Sequence, residues 1–379
     1  MTATVPSRSE ALALFLELAA MSTPPGRERA AADYCAAYLA RLGIAVTEDD
    51  AGGRIDGDTG NLYARVVATA PGTPIFLCAH LDTVPPTGAI DPVVEDGFVT
   101  NREPTILGAD NKATVAGMLD GVRRVLADGL LHAGIEIVLT PQEEVGLKGA
   151  KQFDVSRLEA RVGFVYDHAG PLGGVVMAAP GQSSLELVFR GRAAHSGIAP
   201  EDGRSAIVAA GRAIAAMRHG RIDEETTANV GLITGGVARN IVAPECTLRA
   251  EVRSRDEGRL AEETAYLLEV AATAASETGC SLSTSVSTEY SAYRFRRTDP
   301  AVLLARSALE AAGYRPREEE VGGGADAHVF NHAGLSCVVL TSGMELIHGP
   351  EERIRVADVD GLSEITVELV RAAASAGGG

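Results

Sequence analysis

Ionisable side chains stand close behind short apolar runs, or at the start of a helical pattern, at several points of the chain. These groups are His80 and Asp82, Asp110, Glu143 and Glu144, Asp167, and His348. Imidazole and carboxylate groups without thiolates suit zinc, cobalt or manganese and disfavour iron–sulfur and copper(I) sites. Because buried like charges are costly unless a cation or proton compensates them, the group predicts a metal centre.

The spacing within the group indicates separate roles. His80 and Asp82 are two residues apart, so in extended backbone they point the same way, and the carboxylate can fix the imidazole tautomer. Glu143 and Glu144 are adjacent, so a turn would let one bind a metal while the other acts as general base toward a metal-activated water. Two histidines and several carboxylates can hold two metals bridged by one carboxylate, as in two-metal hydrolases.

Each residue also has a simpler interpretation. Asp110 is a suitable helix N-cap. Glu143 and Glu144 would fit a solvated turn, Asp167 a turn acceptor, and His348 a surface position. The metal centre is favoured because these separate explanations would have to coincide at every predicted strand end.

Four apolar, β-branched runs predict strands that are buried on both faces. They are Ile75 to Ala79, Ile135 to Thr140, Val162 to Tyr166, and Cys337 to Thr341. Helical spacing after Asp110 runs to a stop at Asp128-Gly129. Strands alternating with helices predict an α/β domain with a mostly parallel mixed sheet flanked by helices. Ligands bind at the carboxyl ends of such strands, so the ionisable groups would share one edge.

The pattern changes in the middle of the chain. Strands are predicted at 185–189, 229–233, 246–252 and 281–286, with helices at 205–217 and 258–275. This βαββαβ order is typical of a ferredoxin-like α+β unit. Because buried strands resume afterwards, we expect a discontinuous catalytic domain, 1–179 and 292–379, interrupted by a lid domain, 180–291.

Composition excludes several classes of function. The 379 residues are 46% hydrophobic and 22% charged, which predicts a folded protein with a large core. The net charge of −17 argues against nucleic-acid partners and anionic membrane surfaces. No segment is long and apolar enough to span a bilayer, and Glu10 and Glu17 interrupt the first apolar run, unlike a signal peptide. The 5 dispersed cysteines favour free thiols and a cytoplasmic location.

Seven segments carry a resemblance to a known family. They are CAHLDTVP, LGADNKATVAG, TPQEEVGLKGAK, GRAAHSGIAPEDGRSAI, GGVARNIVAPECTLRAEVRS, GGGADAHVFNHAG and SGMELIHGPEERI. In this order, and spread over nearly the whole chain, they resemble the peptidase T and aminoacylase family of co-catalytic zinc hydrolases. The fold implied is of the zinc-exopeptidase type. Each segment alone is a weak signal, but the set is highly specific.

The resemblance implies a centre of two zinc ions, with cobalt or manganese as substitutes. The implied ligands are His80 and Asp167 for one ion, Glu144 and His348 for the other, and Asp110 as the bridge. A cis peptide between Asp110 and Asn111 is also implied. In the same scheme Asp82 orients His80, and Glu143 is the general base.

The resemblance assigns further residues to substrate binding, of which His195, Arg239 and Asn240 lie in the lid and Arg294 follows it. His195 would polarise the scissile carbonyl, Arg239 and Asn240 would contact the substrate, and Arg294 is a candidate for a substrate carboxylate. A homodimer through the lid is expected. Whether His195 acts in its own chain or across that dimer stays open.

The implied activity is hydrolysis of short peptides, of the tripeptidase or aminopeptidase kind. The segment from His80 to Asp110 is shorter than in peptidase T proper, which favours a peptidase T-like branch. An N-acyl-amino-acid amidohydrolase or a carboxypeptidase of the same machinery is the nearest alternative. A catalytically silent peptide-binding protein is a further one. A nucleotide-binding protein and a serine hydrolase are disfavoured, because no GxGxxG, GxxxxGK[ST] or GxSxG motif is present.

Overall fold

The computed structural model describes residues 9–376, so the outermost ends of the predicted catalytic domain, 1–8 and 377–379, lie outside the described residues. The chain forms two compact units. The first comprises the described residues up to 177, with 295–320 and those from 325 onward, and the second comprises 178–294 with 321–324. Within 9–376, no helix combines the length and apolar character needed to cross a bilayer. All five cysteines are free thiols.

The α-helices are α1 (Glu10–Ala19), α2 (Arg29–Arg41), α3 (Ala51–Arg54), α4 (Ala109–Ala127), α5 (Lys148–Gln152), α6 (Ala206–Ala216), α7 (Glu257–Glu277), α8 (Pro300–Ala311), α9 (Ala327–His332) and α10 (Val356–Ser375). Short 3₁₀ helices span Val155–Arg157 and Pro200–Asp202. The strands are β1 (Val46–Glu48), β2 (Leu62–Val66), β3 (Ile75–His80), β4 (Pro92–Glu95), β5 (Phe98–Asn101), β6 (Ile135–Thr140), β7 (Val162–His168), β8 (Gly174–Ala179), β9 (Gly181–Arg190), β10 (Gly220–Arg221), β11 (Thr226–Gly235), β12 (Glu245–Ser254), β13 (Ser281–Tyr290), β14 (Tyr293–Arg294), β15 (Arg317–Glu320), β16 (Ser336–Thr341), β17 (Met344–Glu345) and β18 (Arg353–Arg355).

The first unit is built on a mixed sheet in the order β1-β2-β6-β3-β7-β16-β8. Its four central strands are mutually parallel, while β2 and β8 join them antiparallel. Every residue of β3 and β6 is buried, as expected for strands covered on both faces. Helices α4, α8 and α9 pack against these central strands. The predicted α/β class and the parallel centre of the sheet are confirmed.

Two details differ from the sequence prediction. Strand β7 continues to His168, so Asp167 lies inside the strand and not after it. A hairpin of β4 and β5, part of a small second sheet, precedes α4. The Asp96-Gly97 pair was the sequence signal for this hairpin. Both residues have positive φ, as a tight two-residue hairpin turn requires.

The second unit is a ferredoxin-like fold, as predicted. Its antiparallel sheet has the order β10-β11-β12-β9-β13, in which β10 is a two-residue addition to the expected four strands. Helices α6 and α7 pack together and on the sheet over a core of its own. The predicted start of α6 is explained by Ser205, whose side chain accepts a hydrogen bond from the Val208 backbone N–H.

Helix α4 packs closely against α10 because glycines face that helix. A Cβ on Gly117 would lie 2.4 Å from Leu362 Cβ, and one on Gly121 would lie 2.5 Å from Thr366 Cβ. Beside this contact, the buried Asp120 carboxylate accepts a hydrogen bond of 2.6 Å from the Ser363 hydroxyl. No larger side chain fits between the two helices at these points without moving them apart.

We expect Gly117→Ala to destabilise the first unit by about 1–3 kcal/mol, because the added methyl group overpacks the α4–α10 contact. Thermal unfolding followed by far-UV circular dichroism measures the change. The matched control is Gly211→Ala in α6, where a Cβ meets nothing within 4 Å. That substitution should be neutral or stabilising, because alanine favours a helix over glycine. An unfolding midpoint of Gly117→Ala at or above that of the wild type would contradict the packing argument.

Candidate metal centre

The first group of the site stands at the end of β3. The Nδ1–H of His80, the last residue of that strand, donates to the Asp82 backbone carbonyl at 2.9 Å, while the Asp82 carboxylate lies farther away, at 3.4 Å. Because a carbonyl only accepts, Nδ1 carries the proton in neutral His80 and Nε2 presents a lone pair. The Asp82 carboxylate accepts instead from the backbone N–H groups of Glu143 and Glu144, at 2.9 and 3.1 Å.

Asp110 lies in the first turn of α4, in a stretch with irregular backbone. Gly108, the N-cap, has φ +77°, and the Asp110–Asn111 peptide is cis, as the resemblance implied. Neither Asp110 nor Asn111 has helical backbone angles. The Asn111 side-chain amide donates to Asp167 Oδ1 at 3.0 Å, which ties the start of α4 to strand β7.

Glu143 and Glu144 lie in the tight turn that follows β6. Positive φ at Gln142, Gly146 and Leu147 reverses the chain within a few residues, and the N–H groups of Gly146 and Leu147 donate to the Glu143 carbonyl. The turn gives the two adjacent carboxylates different neighbours. Glu143 groups with His80 and Asp167, and Glu144 groups with His80 and Asp110, with the ligand atoms of each group all within 4.8 Å of one another. Glu144, in addition, lies 3.2 Å from His348.

Asp110 shares its two oxygens between two sets of ligands. Oδ1 lies 3.2 Å from His80 Nε2, which is also 3.3 Å from Asp167 Oδ1. Oδ2 lies 3.2 Å from His348 Nε2, which is also 3.2 Å from Glu144 Oε1. The structure therefore brings all five residues of the implied ligand set together, in two groups that meet at Asp110.

These separations fit metal coordination better than hydrogen bonding. Two atoms each about 2.0–2.1 Å from a tetrahedral zinc ion lie about 3.3 Å apart. Asp110 Oδ1 and Glu144 Oε1 are buried and accept no hydrogen bond with acceptable geometry, although an imidazole nitrogen lies near each. Burial alone would lower the pKa of His80, but the carboxylates of Asp167 and Asp110 raise it well above its usual value. A proton or a cation therefore compensates the two carboxylates beside Nε2.

The pKa values in the site reflect the crowding of buried carboxylates around two imidazoles. Burial raises the pKa of Glu143 well above its usual value, and the Asp167 charge adds to this. Burial also raises the pKa of Asp167 to about 7. The neighbouring carboxylates of Asp110 and Glu144 raise the pKa of His348 to about 10. Without a cation these groups retain protons near neutral pH, so bound metal and protons would compete for them.

His195, Arg239 and Asn240 lie in the second unit, and so does Arg294, which the sequence prediction placed in the catalytic domain. Backbone hydrogen bonds from Ser196 to Asn240 and from Val242 to Ala194 place the exposed His195 beside the segment of Asn240. The neighbouring Arg239 is exposed as well. Arg294 is elsewhere in the unit, half-exposed, and donates to Glu225 at 2.7 Å. The structure therefore brings His195 close to Asn240, while Arg294 pairs with an acid of its own.

Two buried acids near the centre were missed by the sequence reasoning. Glu352, four residues after His348, accepts backbone hydrogen bonds from the start of α4. Asp326 accepts from the Thr140 hydroxyl, and burial raises its pKa to about 6. Both residues stand in segments that carry the family resemblance, HGPEERI and GGGADAHVFNHAG. That placement was the only available signal, because a buried acid whose partners are distant in the sequence has no periodic pattern.

Models of two peptidase families match parts of this chain. A model of the peptidase dimerisation domain of the M20 family matches residues 178–279, and a model of peptidase family M28 matches residues 61–197. The protein YqjE of Bacillus subtilis is 34% identical over 361 residues, which are 95% of this chain and 97% of that protein.

Two solved structures are similar over nearly their whole length. The aminopeptidase PepT of Bacillus cereus is 36% identical with a TM-score of 0.87, and the match covers 96% of this chain and 98% of that one. A tripeptidase of Staphylococcus aureus is 33% identical with a TM-score of 0.92, covering 97% and 98%. At this identity and coverage, with the ligand-type residues gathered as described, the chain belongs to the peptidase T-like members of the M20 metallopeptidase family.

Proposed function

We propose that the protein is a dinuclear zinc peptidase that removes residues from short peptides. The observation that carries the proposal is the shared carboxylate of Asp110, whose two oxygens each lie 3.2 Å from a different imidazole. The ligands would be His80 and Asp167 for one ion, Glu144 and His348 for the other, and Asp110 for both. Cobalt or manganese would suit the same ligands.

When bound, the two ions would lower the pKa of a water molecule and polarise the scissile carbonyl. The general base is assigned to Glu143, which takes a proton from the attacking water and returns it to the leaving amine. Asp82 holds the Glu143–Glu144 turn through two backbone N–H groups and, through its own carbonyl, fixes the His80 tautomer.

His195 is proposed to donate a hydrogen bond to the scissile carbonyl as negative charge develops on its oxygen. Its Nδ1 accepts from the Gly197 backbone N–H at 3.2 Å, which leaves the proton of the neutral ring on Nε2, in the exposed position of a donor. Arg239 and Asn240, close by in the chain, would contact the substrate. Arg294 stays a candidate for a substrate carboxylate, in competition with Glu225.

We also propose that the second unit forms a homodimer. Strand β10 pairs only with Thr227 and Ala228 of β11, so among the described residues the outer edge of β11 beyond them has no strand partner. Leu232 and Ile233 on this edge are 59% and 54% exposed. An open, apolar strand edge favours pairing with another chain. The family match to a dimerisation domain supports a second copy as that chain.

The substrate class is testable with a panel of peptides. Because solved relatives are described as an aminopeptidase and a tripeptidase, we expect zinc-loaded protein to hydrolyse tripeptides with a free amino terminus. N-acetylated tripeptides and N-acyl amino acids should be poor substrates. A chelator should abolish turnover, and added zinc should restore it, as measured by product release on chromatography. Preference for N-acyl amino acids would instead identify the amidohydrolase alternative, and activity that survives metal removal would refute the metal centre.

The paired glutamates provide a second test, because loss of a metal ligand weakens metal binding, whereas loss of a general base lowers kcat. Glu144→Gln should weaken the binding of one zinc ion. Glu143→Gln should retain both ions and lower kcat by about 10²–10⁴-fold, the usual contribution of a general base. Metal content by elemental analysis and kcat on a tripeptide are measured for both variants. Near-normal kcat in Glu143→Gln would show that another group is the base.

His195→Ala should lower kcat by about 10²–10³-fold, the usual cost of removing one donor to a developing oxyanion. Zinc content and thermal stability should stay at wild-type values, because the side chain is exposed and lies outside the ligand set. An unchanged kcat would remove His195 from the mechanism. Mixing this variant with Glu143→Gln restores activity only if His195 acts across a dimer.

A further inference from the structure

The buried carboxylate of Glu352 holds the backbone at the start of α4. Its Oε2 accepts hydrogen bonds from the N–H groups of Leu107 and Gly108, both at 2.8 Å. Its Oε1 accepts from the N–H of Asp110 at 2.9 Å. The side chain is buried, at 2% exposure, so these three bonds are made out of water. Hydrogen bonds to a charged acceptor are about twice as strong as neutral ones.

The start of α4 needs an acceptor from elsewhere in the chain. The first N–H groups of any helix have no acceptor within the helix. A side chain at the N-cap commonly supplies one, but the N-cap here is Gly108, which makes no side-chain cap. Asp110 and Asn111, which follow Gly108, do not have helical backbone angles, and their side chains point to the metal centre. Glu352 therefore takes the place of a local cap, from a position 242 residues further along the chain.

The same short segment supplies His348. A single loop therefore carries one proposed metal ligand and, four residues later, the carboxylate that fixes the backbone of the shared ligand Asp110. Asp110 reaches both imidazoles with separations of 3.2 Å, so a small shift of its backbone would alter both groups of ligands at once.

We propose that Glu352 is a positioning residue of the metal centre, which sets zinc affinity at both sites by fixing the backbone of Asp110. The inference rests on the proposed function and extends it to a residue that contacts neither ion. Partners of this kind change metal affinity by about 10–100-fold when they are replaced.

The test is zinc titration of metal-free protein against a competing chelator. Glu352→Gln keeps the size of the side chain but replaces one accepting oxygen with an amide that cannot accept. We expect both zinc affinities to fall by about tenfold in this variant, and further in Glu352→Ala. Glu144→Gln, by contrast, should weaken only one of the two binding events.

Glu136 provides a matched control in the same unit. It is also buried and accepts backbone hydrogen bonds, from Glu159 and Ala160 at 3.2 and 2.7 Å, but near the start of β6, away from the centre. The unfolding midpoint of each metal-free variant is measured alongside. Glu136→Gln should lower that midpoint and leave zinc affinity unchanged.

Unchanged zinc affinity in Glu352→Gln would overturn the inference, as would weakening at one site alone or an equal loss in Glu136→Gln. If Glu352→Ala fails to fold, the Gln variant decides the question. Wild-type protein that binds no zinc would refute the proposed function itself. Failure of the proposed function is therefore distinguishable from failure of the inference about Glu352.

Discussion

The repulsion among buried acids at one end of the parallel sheet is the constraint on which the rest of the site depends. Glu143, Asp167 and Asp110 converge on His80 with no lysine or arginine paired to them in the described residues. Such a group costs several kcal/mol per uncompensated charge in a low-dielectric interior. It persists in a folded chain when cations or protons supply the missing positive charge, and the spacing of the ligand atoms suits cations.

Backbone amides are the second part of this arrangement. Asp82 accepts from Glu143 and Glu144, and Glu352 accepts from the start of α4. Glu28 accepts from the N–H groups of Gly26 and Gln142, next to the same turn. The turn of Glu143 and Glu144 and the start of α4 are therefore each held by a buried carboxylate that occupies no proposed ligand position. Irregular loops gain in this way a rigidity that their own turns do not provide.

The elements with strong periodic or apolar patterns were predictable from sequence. The runs at β3, β6 and β16, the helix starting after Gly108, and the strand and helix order of the second unit all have clear local signals. What escaped prediction depends on contacts between distant residues. Glu352 reads as part of an exposed charged segment until its backbone partners, more than 240 residues away, are known. The role of the Asp82 carbonyl likewise depends on backbone geometry, which residue types do not encode.

The two imidazoles of the centre differ in their access to water. The side chain of His80 is 2% exposed, whereas that of His348 is 48% exposed and stands on backbone with positive φ. Ligand exchange at a metal requires an incoming group, and water or a chelator can approach only from the side that solvent reaches. In the proposed centre, the ion held by His348 would therefore exchange with solvent faster than the ion held by His80, and partial metal loss would give a defined one-ion species with the buried position still filled.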